Sequence, residues 1–323
     1  MTRVPPAARD SSRRGVELRV PAKVNLHLRV LARRESGYHS VETVLAAVEL
    51  YDHLRVERST EAGRVELGVE GGEAPELEVR DNLAHRAAVA YMERAGEAVH
   101  GTGIRLHLTK GIPEGAGLGG GSADAAFVLR ALEVLFDGAV GWGGILELAA
   151  RLGSDVPFFL APTPFALAWG RGERLLPLPP PPAAPMVLAL PPVRISTPWA
   201  FGALARGDGR TDDRPALIPE GIVRGEWRPF LEKSSSGDGF PANDFEDAVF
   251  HRHPELADIR ASLEAQGGRP ARLTGSGAAL FALFGSMSEA RAAAEVLETR
   301  FDGVRFVATR TLTSFPAPGG GDG

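Results

Sequence analysis

The chain of 323 residues contains no cysteine, which excludes disulfides, thiolate zinc sites and a cysteine nucleophile. It contains no run of 18 apolar residues, and its first 14 residues carry Arg3, Arg9, Arg13 and Arg14 without an apolar core. Neither a signal peptide nor a membrane span is therefore expected, and a cytoplasmic location follows by default. A formal charge of −5 gives no electrostatic reason to expect nucleic acid or a membrane surface as partner. Lysine is scarce: only Lys23, Lys110 and Lys233 occur among 36 basic residues. In a chain so biased toward arginine, a lysine marks a place where a compact ammonium on a flexible stem is wanted and a planar fork does not fit. Lys23 and Lys110 flank candidate chemistry, whereas Lys233 reads as a solvated charge.

Glycine, by contrast, is concentrated. In Gly111 to Leu135, GIPEGAGLGGGSADAAFVLRALEVL, a loop with Gly115, Gly117, Gly119, Gly120 and Gly121 runs directly into a helical pattern. Without Cβ atoms the loop can adopt φ > 0 and let backbone N–H groups converge on an anion. Ser122 stands where an N-cap is expected, and Ala125, Val128, Leu129, Leu132 and Leu135 recur on one helical face. The free N–H groups of that helix then point back at the loop, which makes a phosphate cradle. A flexible linker is the plainer alternative, but linkers are not usually bounded by a proline and an amphipathic helix. The glycines also satisfy G-x-G-x-x-G after a strand at 104–109, yet no strand follows the helix, so a dinucleotide-binding βαβ unit is absent. No Gly-Lys-Ser/Thr follows the glycines, so the loop is not a Walker loop.

The segment P-x-G-x-G-L-G-G-G-S resembles the signature of the GHMP kinases, ATP-dependent small-molecule phosphotransferases. Three further segments resemble the branch of that family whose alcohol substrate carries a cytidine diphosphate group: P-A-K-V-N-L-H-L from Pro21, G-Y-H from Gly37, and L-G-S-D-V-P-F-F-L from Leu152. The resemblance covers roughly residues 16–312. It implies an α+β, two-domain GHMP kinase fold, with an amino-terminal ATP-binding domain over 1–162 and a ferredoxin-like carboxy-terminal domain over 163–323 that ends in a disordered tail. It implies transfer of phosphate from ATP, with Mg2+, to a hydroxyl of that substrate on the route to isoprenoid precursors. Catalysis would fall to Lys23 and Asp155. Asn82, Lys110, Pro113, Gly115, Gly117, Leu118, Gly119, Gly120, Gly121 and Ser122 would bind ATP; Asn25, Tyr38, His39, Thr197 and Phe201 would bind substrate. Gly275, Ser276 and Gly277 would support the phosphate loop.

The residues alone carry blander readings beside these. Lys23 and Asn25 project from one face of a strand, where a lysine is normally solvated. Asp155 in G-S-D-V-P is most simply a helix cap, Asn82 is nearly as well read as one, and Asn243-Asp244-Phe245-Glu246 reads as a helix start. Ala123 replaces a second serine after the glycines, which leaves Ser122 and backbone N–H groups to face phosphate, and no protein ligand set for a metal is assigned. A monomer or weak homodimer is expected. Rival readings are a mevalonate- or homoserine-type kinase, which needs no aromatic and histidine for a cytosine, a non-catalytic nucleotide sensor, and a dinucleotide oxidoreductase.

Overall fold

In a computed structural model the described residues are 14–33, 39–72, 79–205, 224–227 and 243–319. Tyr38, Lys233 and most of the 205–240 insertion lie outside them.

Two long antiparallel strands, β1 (Gly15–Arg33) and β2 (His39–Ser59), form the spine. Where the sequence reads as two short strands around Pro21, a single strand runs through, with its register shifting between Pro21 and Ala22 and again between Asn25 and His27. A proline has no N–H for the ladder and is accommodated at such an irregularity. The shift has a consequence for facing. Val16, Leu18 and Val20 belong to the core beneath the helices, whereas Ala22, Val24 and Leu26 belong to the core between the sheets. Even-numbered positions thus change sides, and Lys23 and Asn25 come to the helical side, opposite Ala47 and Leu45.

On its other edge β2 pairs with β4 (Gly103–Thr109) along one half and with β5 (Phe165–Gly170) along the other. β3 (Val65–Glu70) runs parallel to β4, and β6 (Arg174–Pro177) completes the sheet. β3 occupies part of a stretch that reads from sequence as a polar hairpin or loop. β5 and β6 follow residue 162 yet belong to this first sheet, so the expected domain boundary cuts through it. The second sheet begins only after the proline-rich run that follows. Helices α1 (Leu83–Ala95), α2 (Gly120–Leu135) and α3 (Gly141–Leu152) cover one face. α2 is buried nearly all round, which accounts for its Ala, Val and Leu content.

The second sheet has the order β10 (Arg305–Arg310), β7 (Pro185–Leu190), β9 (Leu280–Leu283), β8 (Ala271–Leu273), all antiparallel. Its helices are α4 (Thr197–Ala205), α5 (Glu246–Arg252), α6 (Pro254–Ala265) and α7 (Met287–Arg300). This is the β-α-β-β-α-β arrangement of a ferredoxin-like unit. Val24, Leu26, Val44 and Ala46 of the first sheet pack with Met186, Leu188, Phe281 and Leu283 of the second, and Ile112 and Leu118 of the glycine loop join that core. The loop is thereby wedged between the sheets.

The end of the chain departs from expectation. The tail from Ser314 reads as disordered, but Phe315 inserts among Phe127, Phe158 and Phe159, with ring centroids 6.3, 5.8 and 6.4 Å away. A lone phenylalanine in a Gly- and Pro-rich tail has no periodicity to announce a core role.

Candidate active site

The glycine loop adopts the conformations that exclude side chains: φ is +69° at Gly115, +78° at Gly117 and +73° at Gly119. At Gly117 a Cβ would stand 2.1 Å from the Thr274 carbonyl oxygen, so the loop and the Gly275–Gly277 turn pack backbone to backbone. Ala279 N–H donates to Ala116 O at 3.1 Å and closes the contact. The N-cap of α2 is Gly119 in the left-handed region, not Ser122, which lies three residues into the helix. The expected serine cap fails because the chain already turns helical at Gly120. Ala123 N–H is the first to find an intrahelical acceptor, Gly119 O at 2.9 Å. Gly120, Gly121 and Ser122 are left with N–H groups that the helix itself cannot satisfy.

These residues line a cavity of about 530 Å³ with Asp81, Asn82, Lys110, Pro113 and Thr197. Asn82 caps α1 by accepting from Ala84 N–H at 2.9 Å, so its cap function and its place in the cavity wall coexist. Lys110 also lines the wall, but its ammonium turns inward. It donates to Asp124 Oδ2 at 2.8 Å and to Asp52 Oδ2, and all three side chains are almost fully buried. Asp52 Oδ1 in turn accepts from Gly111 and Ile112 N–H at 2.6 and 2.8 Å, which fixes where the loop begins. Burial works against the Lys110 ammonium, yet Asp124 and Asp52 outweigh it and its pKa is raised. Burial also pushes the Asp124 carboxyl up to about 8, with Lys110 opposing the rise and Asp52 adding to it. Sequence reasoning missed this cluster. The available signal was a carboxylate, Asp124, set between alanines in a helix apolar on every side.

Lys23 lies against the loop: its ammonium donates to Gly117 O at 2.8 Å and to Asn25 Oδ1 at 2.6 Å, and stands 3.4 Å from Asp155 Oδ2. The Lys23 side chain is 4% exposed and Asp155 34%, so the pair joins a buried cation to a carboxylate that solvent can reach. Asp155 precedes a 3-10 turn at Val156–Leu160, but its side chain makes no capping bond, so the helix-cap reading does not describe its carboxylate. Thr274, from the second unit, accepts from Asn25 N–H at 2.9 Å and donates to Gly117 O at 3.3 Å. Asn243 holds that turn by donating to Leu273 O at 3.0 Å and Gly275 O at 2.7 Å while accepting from Phe245 N–H at 3.0 Å. It forms the turn that leads into α5, whose N-cap is Phe245, and clamps the loop as well, so the reading of this segment as a helix start is half of its role.

A second set converges beside it. His39 stacks on Phe201 with ring centroids 5.4 Å apart, and Phe201 meets Phe245 edge-on at 5.0 Å. The Thr197 and Ser276 hydroxyls are 2.9 Å apart. His39 Nδ1 lies 3.3 Å from Leu31 O, and since a carbonyl only accepts, the neutral ring carries its proton there and leaves Nε2 as an acceptor.

A glycine loop running into a helix N-terminus, a lysine–aspartate pair against it and an aromatic cluster from both units are the arrangement expected of a small-molecule phosphotransferase. Comparison with known proteins agrees. Residues 82–162 match the GHMP kinases N terminal domain and residues 220–303 match the GHMP kinases C terminal. The chain is 42% identical over 282 residues to the 4-diphosphocytidyl-2-C-methyl-D-erythritol kinase of Thermus thermophilus, covering 87% of this chain and 92% of the relative. To the protein of the same name from Solidesulfovibrio magneticus it is 41% identical, over 83% and 88%. A crystal structure of 4-(cytidine 5'-diphospho)-2C-methyl-D-erythritol kinase superposes with a TM-score of 0.72 at 39% identity, covering 91% of this chain and 98% of the other. A homoserine kinase from Cytophaga hutchinsonii gives the same TM-score at 20% identity, a likeness of fold alone. The chain belongs to the GHMP kinases and, within them, to the 4-diphosphocytidyl-2-C-methyl-D-erythritol kinase family.

Proposed function

We propose that this protein transfers the γ-phosphoryl group of ATP to the 2-hydroxyl of 4-diphosphocytidyl-2-C-methyl-D-erythritol. The observation that carries the chemistry is the meeting of Lys23 and Asp155, 132 positions apart in the chain, at 3.4 Å against the carbonyl of Gly117. The substrate identity is supported by relatives that share about two residues in five along most of the chain.

ATP fits the cavity on two counts: N–H groups of the first turn of α2 lack intrahelical acceptors, and Gly115 has no heavy atom within 4 Å of where a Cβ would stand, so oxygens can approach the backbone. Mg2+ neutralises the phosphates of the nucleotide when bound. Among the described residues no group of three or more His, Asp or Glu is placed to hold a metal ion. Ser122 and Asp124 are the only side-chain oxygens from Gly115 to Ala125, and Asp124 is already engaged with Lys110. When bound, the ion would be held chiefly by the phosphate oxygens, with Ser122 as the loop hydroxyl available to it.

Asp155 accepts the proton of the attacking hydroxyl, and Lys23 stabilises the charge that develops on the transferring group. Phosphoryl transfer depends chiefly on positioning, which the wedged loop provides. His39 Nε2 accepts from the exocyclic amine of cytosine, and Phe201 offers aromatic surface to the base; the stacking role that the family resemblance gives to Tyr38 falls outside the described residues. The test is ADP release measured with 4-diphosphocytidyl-2-C-methyl-D-erythritol, its cytidine-free 4-phosphate, mevalonate and homoserine. The expected result is turnover with the first alone. Equal turnover of the cytidine-free alcohol, or none with any, overturns the reading.

A further inference from the structure

Lys23 owes its direction to a chain of hydrogen bonds whose far end has no contact with the cavity. Thr43 sits on β2 two residues before Leu45, the partner of Asn25, so its side chain lies diagonal to Asn25 on one face of the sheet. Its hydroxyl donates to His27 O, which uses its only proton. The lone pairs that remain can only accept, and they receive Asn25 Nδ2 at 2.8 Å. With the amide nitrogen committed to Thr43, the amide oxygen must face the other way, toward Lys23 Nζ at 2.6 Å. An amide turned over would place N–H groups against an ammonium, donor against donor. Thr43, Asn25 and Lys23 are all buried, so water does not stand in for a missing partner.

We propose that Thr43 is a positioning residue for phosphoryl transfer. Its hydroxyl sets the polarity of the Asn25 amide and through it aims the Lys23 ammonium between Gly117 O and Asp155. The Lys23 ammonium has three N–H donors, and two are committed to Asn25 Oδ1 and Gly117 O, which leaves the third for the carboxylate side. Loss of the Asn25 acceptor frees the ammonium to swing. This inference rests on the assignment of Lys23 to the reacting end.

The experiment compares Thr43→Val, isosteric and well suited to a central strand, with Thr43→Ser, which keeps the hydroxyl. Thr43→Val lowers kcat about 10- to 100-fold, as expected when a reacting group is displaced by a fraction of a bond length or more, while KM for ATP and for the cytidine substrate stays within threefold. Thr43→Ser returns kcat to within threefold of the parent. In a Lys23→Met background, read as single-turnover rates with enzyme in excess, Thr43→Val produces no further loss, because the residue acts through the lysine. A Thr43→Val enzyme with parental kcat overturns the proposal. So does a Thr43→Ser loss as large as that of Thr43→Val, or an equal loss in both Lys23 backgrounds. If Lys23→Met itself leaves kcat unchanged, the reading of the site fails and takes this inference with it, whereas a strong Lys23→Met effect with an inert Thr43→Val sinks the inference alone.

Discussion

Gly121→Ala separates a phosphate cradle from a helix start that happens to be rich in glycine, because the two make opposite demands on one methyl group. Gly121 is the second residue of α2, exposed, with an ordinary helical φ. A Cβ there would meet only Leu83 Cδ1, at 3.8 Å, which is normal van der Waals contact. The substitution is therefore free of strain in the protein alone, and lost unfolded-state freedom stabilises the fold by about 0.4–1 kcal/mol. That corresponds to a Tm rise of about 1–3 °C. Nothing pushes the methyl aside, so it would occupy cavity space that a phosphate needs if it is to meet the N–H groups of Gly120, Gly121 and Ser122. Weakening one hydrogen bond to a charged group costs about 1.5–3 kcal/mol, or about 10- to 150-fold in Kd for ATP. Gly119 is the poorer test site: its φ is +73° and a Cβ would stand 3.0 Å from Lys23 Cε, so any loss would mix strain with the displacement of Lys23. Calorimetric titration with an ATP analogue and a thermal melt on the same preparation decide the matter. A more stable protein with parental ATP affinity refutes the cradle, and a lower Tm refutes the packing argument.

Asp155→Asn, which keeps the size of the side chain, is expected to lower kcat by about 10²- to 10⁴-fold with modest changes in ATP and substrate binding, measured as steady-state ADP release. Phe201→Ala removes the ring stacked on His39 and should raise the KM of the cytidine substrate, with about 1–3 kcal/mol lost for Tyr38→Ala if that ring stacks on the base, while ATP affinity holds. Phe315→Ala should destabilise the first unit by about 1–3 kcal/mol in urea titration, less than a fully buried ring because Phe315 is half-buried. Asp124 holds its proton more tightly in the folded protein, at about 8 against an ordinary 3.8. Its stabilising contribution is full below the lower value and is lost as pH rises through the higher, so Tm should decline between about pH 4 and 8 more steeply in the parent than in Asp124→Asn.

The glycine loop, the helix after it and the scarcity of lysine were legible in the sequence because each is a local matter. Glycine frees φ at its own position, apolar spacing marks a helical face over a few turns, and a rare residue type draws notice without any fold. The family motifs likewise carried Lys23, Asp155, His39 and Phe201 to one place before any contact was known. What the chain did not disclose was decided by long-range geometry. Period-two alternation gives two faces to β1 but does not say which faces the helices; the register shift beside Pro21 turns Lys23 and Asn25 toward α2 and the loop. Asp155 looks like a cap because capping is a local habit, and only the arrival of Lys23 from 132 residues away takes its carboxylate elsewhere. The enclosure of Lys110 by Asp52 and Asp124, the hydroxyl of Thr43 behind Asn25 and the docking of Phe315 have the same origin. Each pairs groups far apart in sequence, and such a pairing exists only once the sheets and helices have packed and removed the water that would otherwise have satisfied them.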